Sequence, residues 1–305
     1  MGNMCEGRVA IVTAAGRGIG REHALMMASE GAKVVVNDLG GAQDGTGSDL
    51  TPAQQVVEEI KAMGGEAVTN GDNVADWEGG QRLVNSAIEA FGDLHVLVNN
   101  AGILRDRVLV NMTEGEWDAV VEVHLKGHFI PTRWAATYWR EQTKAGKAVS
   151  GSVIHTSSTS GLFSNPGQTN YGAAKSGIAT FSQICAKELS RYGVRSNAIT
   201  PAARTRLTLS TPGLGERIAE PTDAARFDEW DPANISPLVA YLATADCPFT
   251  GATFYVQGGM VKVYKSWELG DGVDQDARWS VSELAEAMRP LADLPYAQAP
   301  NFTPE

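Results

Sequence analysis

Cysteine is scarce in this 305-residue chain: three thiols, Cys5, Cys185 and Cys247, lie far apart. An odd, scattered set forms neither a disulfide framework nor a zinc motif, and it suits a reducing compartment. No run of about 18 apolar residues occurs, so no membrane-spanning helix is expected. The N-terminus also lacks the basic and apolar stretches of a secretory signal. Gly2 has no Ser or Thr where a myristoylation motif needs one, since Glu6 stands there. These absences together predict a cytoplasmic protein. Positive charge is short as well: 25 Lys and Arg against 36 Asp and Glu give a net charge of -11, so general attraction to nucleic acid or anionic lipid is not expected. The histidines His23, His95, His124, His128 and His155 show no ligand spacing with cysteine or carboxylate, and no metal is expected.

What is present is ample material for a core. Hydrophobic residues make up 43% and charged residues 20%, a balance that separates the chain from disordered ones. Apolar strand-like runs alternate with amphipathic helical ones, which predicts an α/β class protein: a single Rossmann-like, doubly wound parallel sheet flanked by helices. Arg8 to Val12 reads as the first strand. Thr13-Ala14-Ala15-Gly16-Arg17-Gly18-Ile19-Gly20 follows as a glycine turn opening a helix. Gly16, Gly18 and Gly20 leave room for the backbone to approach a diphosphate, whose charge suits the helix N-terminus. The second strand, Lys33 to Asn37, ends in Asp38, eighteen residues beyond Gly20. An acid there accepts from the ribose hydroxyls of a dinucleotide and repels a 2′-phosphate, which favours NAD over NADP. Arg17 and Arg21 speak for NADP, because either can meet such a phosphate.

Further along, Thr51-Pro52 starts a helix to about Met63, Glu66 to Thr69 forms a third strand, and Leu94 to Val98 a fourth. Thr113 with Glu116 three residues on has capping-box spacing at the head of a long helix. Val194 to Ile199 reads as the sixth strand, and Thr253 to Val256 ends the sheet. Residues 203 to 231, rich in Pro, Gly and charge, read as a mobile lid or as a plain surface loop.

The strongest chemical signal is Tyr171-Gly172-Ala173-Ala174-Lys175, with Ser158 thirteen positions upstream at the end of an apolar run. On a helix, Tyr171 and Lys175 lie one turn apart on one face. A phenol titrates near pH ~10, so exchanging a proton at neutral pH needs a nearby cation, which Lys175 supplies. Ser158 can hydrogen-bond the same substrate oxygen. The trio reads as a general acid/base with two assistants.

The glycine turn, Asn99-Asn100-Ala101-Gly102, Ser158, and Tyr171 with Lys175 resemble the short-chain dehydrogenase/reductase family over about residues 7 to 262. The resemblance selects Ser158 over Ser157 and implies a nicotinamide cofactor. It implies adenine contacts for Asp72, Asn73 and Val74, and cofactor ribose near Asn99, Ala101 and Gly102. Pro201 and Thr205 would then meet the nicotinamide, whose ribose Lys175 would hold. A homodimer or homotetramer is implied, built on the long helix after Thr113 and the helix of Tyr171. Within the family, NDLGG from Asn37, NNAGILRDR from Asn99 and VHLKG from Val123 resemble the (3R)-hydroxyacyl-CoA dehydrogenase branch of peroxisomal multifunctional enzymes. Two residues depart from the general family pattern: Ala14 where glycine is usual, and His124 where asparagine is usual. The implied reaction is NAD-linked interconversion of a secondary alcohol and ketone on a 3-hydroxyacyl-CoA or hydroxysteroid-type substrate. Alternatives are an NADPH-dependent 3-oxoacyl-thioester reductase and a non-catalytic nucleotide sensor. Residues 1 to 262 are expected to form the dehydrogenase domain. Residues 263 to 305 are expected as an extension that covers the cleft or packs on a neighbouring subunit.

Overall fold

Short β-branched runs place β1 (Val9–Thr13) beside β2 (Lys33–Asn37) in parallel, Val9 opposite Lys33 and Thr13 opposite Asn37. Both are buried almost throughout, as strands covered on two faces must be, so their sequences are continuously apolar rather than alternating. β3 (Ala67–Asn70), β4 (Val96–Asn99), β5 (Gly151–Thr156), β6 (Val194–Pro201), β7 (Thr253–Gln257) and β8 (Met260–Val263) complete one sheet. Its order is β3-β2-β1-β4-β5-β6-β7-β8. The computed structural model describes residues 3–293 except 43, 210–217, 222, 224, 225 and 266. The chain divides into two compact units, Met1–Val263 and Tyr264–Glu305.

The sheet departs from the expected all-parallel form at one edge. β8 returns antiparallel to β7 through Gly258 and Gly259, with Gln257 opposite Met260. The strand order reverses between β1 and β4, which opens a crevice at their carboxyl ends, the usual seat of a ligand in open α/β sheets.

Helices cover both faces. On one, α1 (Gly18–Ser29), α2 (Thr51–Ala62) and α9 (Ser236–Ala243) bury Met27, Ile60 and Val239 against the sheet. On the other, α3 (Trp77–Phe91), α5 (Gly127–Lys144) and α7 (Thr169–Leu189) bury Leu83, Trp139 and Leu189. Trp139 satisfies its indole N–H on the Leu94 carbonyl at 2.7 Å, so a bulky polar-edged ring sits in the core without an orphan donor. α4 (Glu114–Val121) begins with the capping box of Thr113 and Glu116. It runs into α5 through a π-helical stretch, Glu122–Lys126, which turns His124 into the interior. The sequence gives no periodic signal for that wider turn.

α6 (Thr159–Leu162) and α8 (Arg206–Leu209) are single turns beside the crevice. Of the expected lid, residues 210–217, 222, 224 and 225 lie outside those described. Its described part is tied down by Arg204, which pairs with Asp228 and donates to the Ile218 carbonyl at 3.0 Å. In the second unit α10 (Val281–Met288) carries its own capping box, Ser280 with Glu283.

Candidate active site

Steric demand in the first turn builds the site. A Cβ on Gly20 would lie 2.1 Å from the Ala14 carbonyl oxygen, so only glycine lets α1 start so close to β1. Gly18 adopts a positive φ of 54°, which glycine accepts without strain. Ala14 adopts one too, at 49°. α1 has no side-chain cap, so the N–H groups of its first turn are open to an anion. Beside them lies a cleft of about 290 Å³, lined from this turn by Arg17, Gly18, Ile19 and Gly20.

Asp38 lines the same cleft from the end of β2. Its carboxylate accepts from the Gly16 N–H at 2.7 Å and the Gly40 N–H at 2.6 Å, which fixes its orientation. Gly16 itself does not line the cleft. Its place is to orient Asp38, and a Cβ there would sit 2.7 Å from the Asp38 oxygen. Asp72, Asn73 and Val74 line the wall beyond β3. The Asp72 carboxylate is held by Arg82 and Asn70 at 2.7 and 2.9 Å. Pro201 and Thr205 close the far side, the Thr205 hydroxyl lying 3.2 Å from that of Thr208.

Asn99 differs from the sequence expectation. Its side chain is buried and donates to Thr132 at 2.9 Å, while Asn100, Ala101 and Gly102 line the cleft. The backbone N–H groups of Asn100 and Ala101 both meet the Thr13 hydroxyl, at 2.9 and 3.1 Å, which swings the chain outward after β4. Gly102 is small for a neighbour's sake as well: a Cβ would lie 2.4 Å from the His124 ring.

Ser158, Tyr171 and Lys175 meet at the inner end of the cleft. The Ser158 hydroxyl caps α6 by accepting the Ser160 N–H at 3.1 Å and lines the cleft with Tyr171. Ser157 is occupied elsewhere, donating to the Lys175 carbonyl at 2.7 Å. Lys175 is buried, its Nζ donates to the Thr156 carbonyl at 2.6 Å, and it lies 5.5 Å from the centre of the Tyr171 ring. At the phenol, burial outweighs the acidification expected from a nearby cation. Burial pushes Tyr171 up to about 12 and Lys175 down to about 7, because desolvation disfavours the charged form of each.

His124 stands edge-on to Tyr171 at 5.1 Å. Its Nε2 contacts the Ile103 backbone, and its Nδ1 has no partner among the described residues. Burial and the Lys175 charge hold it well below the usual histidine range, so it is neutral. Further cleft residues were not read from the sequence, notably Ile103, Thr156 and Arg206; they lie in a loop, at the end of β5 and at the head of the single-turn α8, where periodicity carries no signal. Among the described residues no group of His, Cys, Asp or Glu is arranged to hold a metal, and no helix is long and apolar enough to cross a membrane.

A sequence model of the short chain dehydrogenase family matches residues 8–211. The chain belongs to the short-chain dehydrogenase/reductase family. It is an oxidoreductase acting on CH–OH groups with a nicotinamide cofactor. Among its relatives, a hydroxyacyl-CoA dehydrogenase of Mycobacterium tuberculosis is 40% identical over 291 residues, covering 93% of this chain and 88% of that protein. Peroxisomal multifunctional enzyme type 2 of Drosophila melanogaster is 45% identical over 247 residues, 81% of this chain; the match spans only 38% of that longer protein. A short chain dehydrogenase from Mycobacterium avium, known from its crystal structure, superposes with a TM-score of 0.82 at 50% identity, covering 95% of this chain and 94% of that one.

Proposed function

We propose that this short-chain dehydrogenase interconverts a secondary alcohol and its ketone with NAD, on a 3-hydroxyacyl-CoA or hydroxysteroid-type substrate. The observation that carries the reading is the meeting of Ser158, Tyr171 and Lys175 in one cleft with Asp38 and the glycine turn. The residues present fit a dinucleotide, since Gly18 and Gly20 line the cleft at the head of α1 with Asp38 across from them. The open N–H groups of α1 would hold its diphosphate and Asp38 its adenosine ribose. When bound, the nicotinamide supplies the hydride acceptor or donor.

The protein's part is to place the substrate oxygen and move its proton. Ser158 hydrogen-bonds that oxygen, and Tyr171 gives it a proton in ketone reduction or takes one in alcohol oxidation. At neutral pH the phenol is protonated, ready to donate. Oxidation needs the phenolate, whose share grows as pH rises toward the raised value of Tyr171. Oxidation should therefore accelerate as pH rises above neutrality.

Asp38 supports NAD. For NADPH and a 3-oxoacyl thioester speaks Arg17, exposed at the cleft wall; Arg21 is taken up by Glu22 and Glu59. Arg105 and Arg107, the basic residues sought near the cleft mouth for a CoA, bond the Asp44 carbonyl and Glu116 and do not line the cleft, which counts against a CoA substrate. A CoA phosphate would then meet Arg17 or Arg206 at the cleft. Turnover of 3-hydroxyacyl-CoA and hydroxysteroid panels with each cofactor, followed by nicotinamide absorbance, decides the matter. NAD-linked oxidation of one panel is expected; preference for NADP, or no turnover in either, overturns the reading.

We also infer a homodimer or homotetramer built on α5 and α7, whose Phe129 and Ile184 are exposed; light scattering tests this. The three free, buried thiols support a cytoplasmic location, to be checked by cell fractionation.

A further inference from the structure

The loop between β2 and α2 brings Asp44, Gly45 and Thr46 up to the segment that follows β4. Its two limbs are tied to each other: the Asp49 N–H donates to the Leu39 carbonyl at 3.0 Å, and the Ala42 N–H to the Thr46 carbonyl at 2.7 Å. The Asp44 carboxylate stays within the loop, accepting from the Thr46 N–H at 3.0 Å and the Thr46 hydroxyl at 2.8 Å. Gly41, Ala42 and Gly45 line the same cleft as Asp38.

Ile103 and Arg105 receive this loop. A Cβ on Gly45 would lie 3.2 Å from Ile103 Cδ1, so the loop rests on that side chain. The Arg105 guanidinium gives two N–H groups, on Nε and Nη2, to the Asp44 carbonyl oxygen at 3.1 and 3.0 Å. Its own carbonyl accepts from the Asn170 amide at 3.0 Å, and Asn170 Oδ1 in turn accepts the Tyr171 N–H at 2.7 Å. Asn170 is fully buried at the head of α7, which makes it a firm anchor. Hydrogen bonds therefore run without a gap from the Tyr171 backbone through one arginine to the loop beside Asp38.

We propose that Arg105 is a positioning residue: it clasps the turn at 44–46 against Ile103 and so holds the wall of Gly41, Ala42 and Gly45 ready for a dinucleotide. The inference rests on the reading of the cleft as a dinucleotide site. Arg105 and Asp44 do not line the cleft, so the effect passes through the loop. Gly40, Gly41, Gly45 and Gly47 leave that loop much freedom, and glycine loses more of it on ordering than any other residue. With the clasp already made, binding does not bear that cost. A planar guanidinium aims two donors at one oxygen, which a lysine does not reproduce.

Fluorescence titration of Arg105→Ala and Arg105→Lys with NADH and NADPH tests it. Alanine removes both donors and should weaken binding of the preferred dinucleotide about tenfold, chiefly through faster release. Lysine keeps a single donor and should recover part of the loss. Parental affinity in Arg105→Ala overturns the proposal, and so does a lysine variant no better than alanine. A second readout needs no ligand: amide hydrogen exchange at Gly45 and Thr46, whose N–H groups are bonded within the loop, should quicken about tenfold in Arg105→Ala while β1 keeps its protection. Unchanged exchange at these two amides means that Arg105 does not hold the loop, and the proposal falls. If the parent binds neither dinucleotide, the functional reading fails on that result, while exchange at Gly45 and Thr46 still decides for or against the clasp.

Discussion

Lys175→Met should make the ligand-free protein more stable at pH 7 and no more stable, or less, at pH 10. Burial lowers the folded-state value of Lys175 from 10.5 to about 7. Between those values the unfolded chain binds the proton that the folded chain has released. Stability contributed by this residue therefore rises with pH across that window, and the full penalty is present below it. The difference of about 3.5 pH units corresponds to roughly 5 kcal/mol at low pH, about 4 at pH 7 and about 1 at pH 10. Methionine removes that penalty but leaves the Thr156 carbonyl without its 2.6 Å donor, a loss of about 1–3 kcal/mol. The net is a gain of about 1–3 kcal/mol at pH 7, or a midpoint rise of about 2–5 °C for a chain of this size. At pH 10 the two effects cancel or reverse. Thermal unfolding followed by circular dichroism at both pH values measures the difference. Equal destabilisation at pH 7 and pH 10 would show that the buried amine carries no such penalty.

Two glycine-turn variants test the cofactor cradle. Gly20→Ala puts a Cβ 2.1 Å from a backbone oxygen that cannot step aside without moving the turn; a loss of about 1–3 kcal/mol is expected. Calorimetric titration should also show NAD affinity falling at least tenfold, on the order of 1.4 kcal/mol. Ala14→Gly relieves a left-handed residue at φ 49°. The relief of about 1–2 kcal/mol exceeds the extra unfolded-state entropy of glycine, about 0.4–1 kcal/mol. The unfolding midpoint should therefore rise slightly, and a fall would contradict the strain assigned to Ala14.

Much of this architecture is legible in the sequence because its strands are short apolar runs separated by turn residues. β1, the glycine turn and Asp38 follow one another as a dinucleotide fold requires, and the Thr113–Glu116 box marks α4. β8 was missed although Gly258-Gly259 is a hairpin turn signal, because its four residues are all exposed and show no apolar alternation. The sequence points to Asn99 at the cleft where the structure has Asn100, because it does not show at which residue the chain leaves β4; the Thr13 hydroxyl decides it. The π-turn around His124 and the raised phenol of Tyr171 share a cause. Both depend on burial created by elements distant in sequence, which spacing on one helix does not report.

Replacing Tyr171 by Phe is the most direct measurement of the account. The substitution removes one oxygen and keeps the ring between His124 and Lys175. Turnover should fall by about 10²–10⁴-fold, while NAD binding, measured by fluorescence titration, stays close to that of the parent. A variant that turns over alcohol at near-parental rate would contradict the assignment of this phenol as the group that moves the proton.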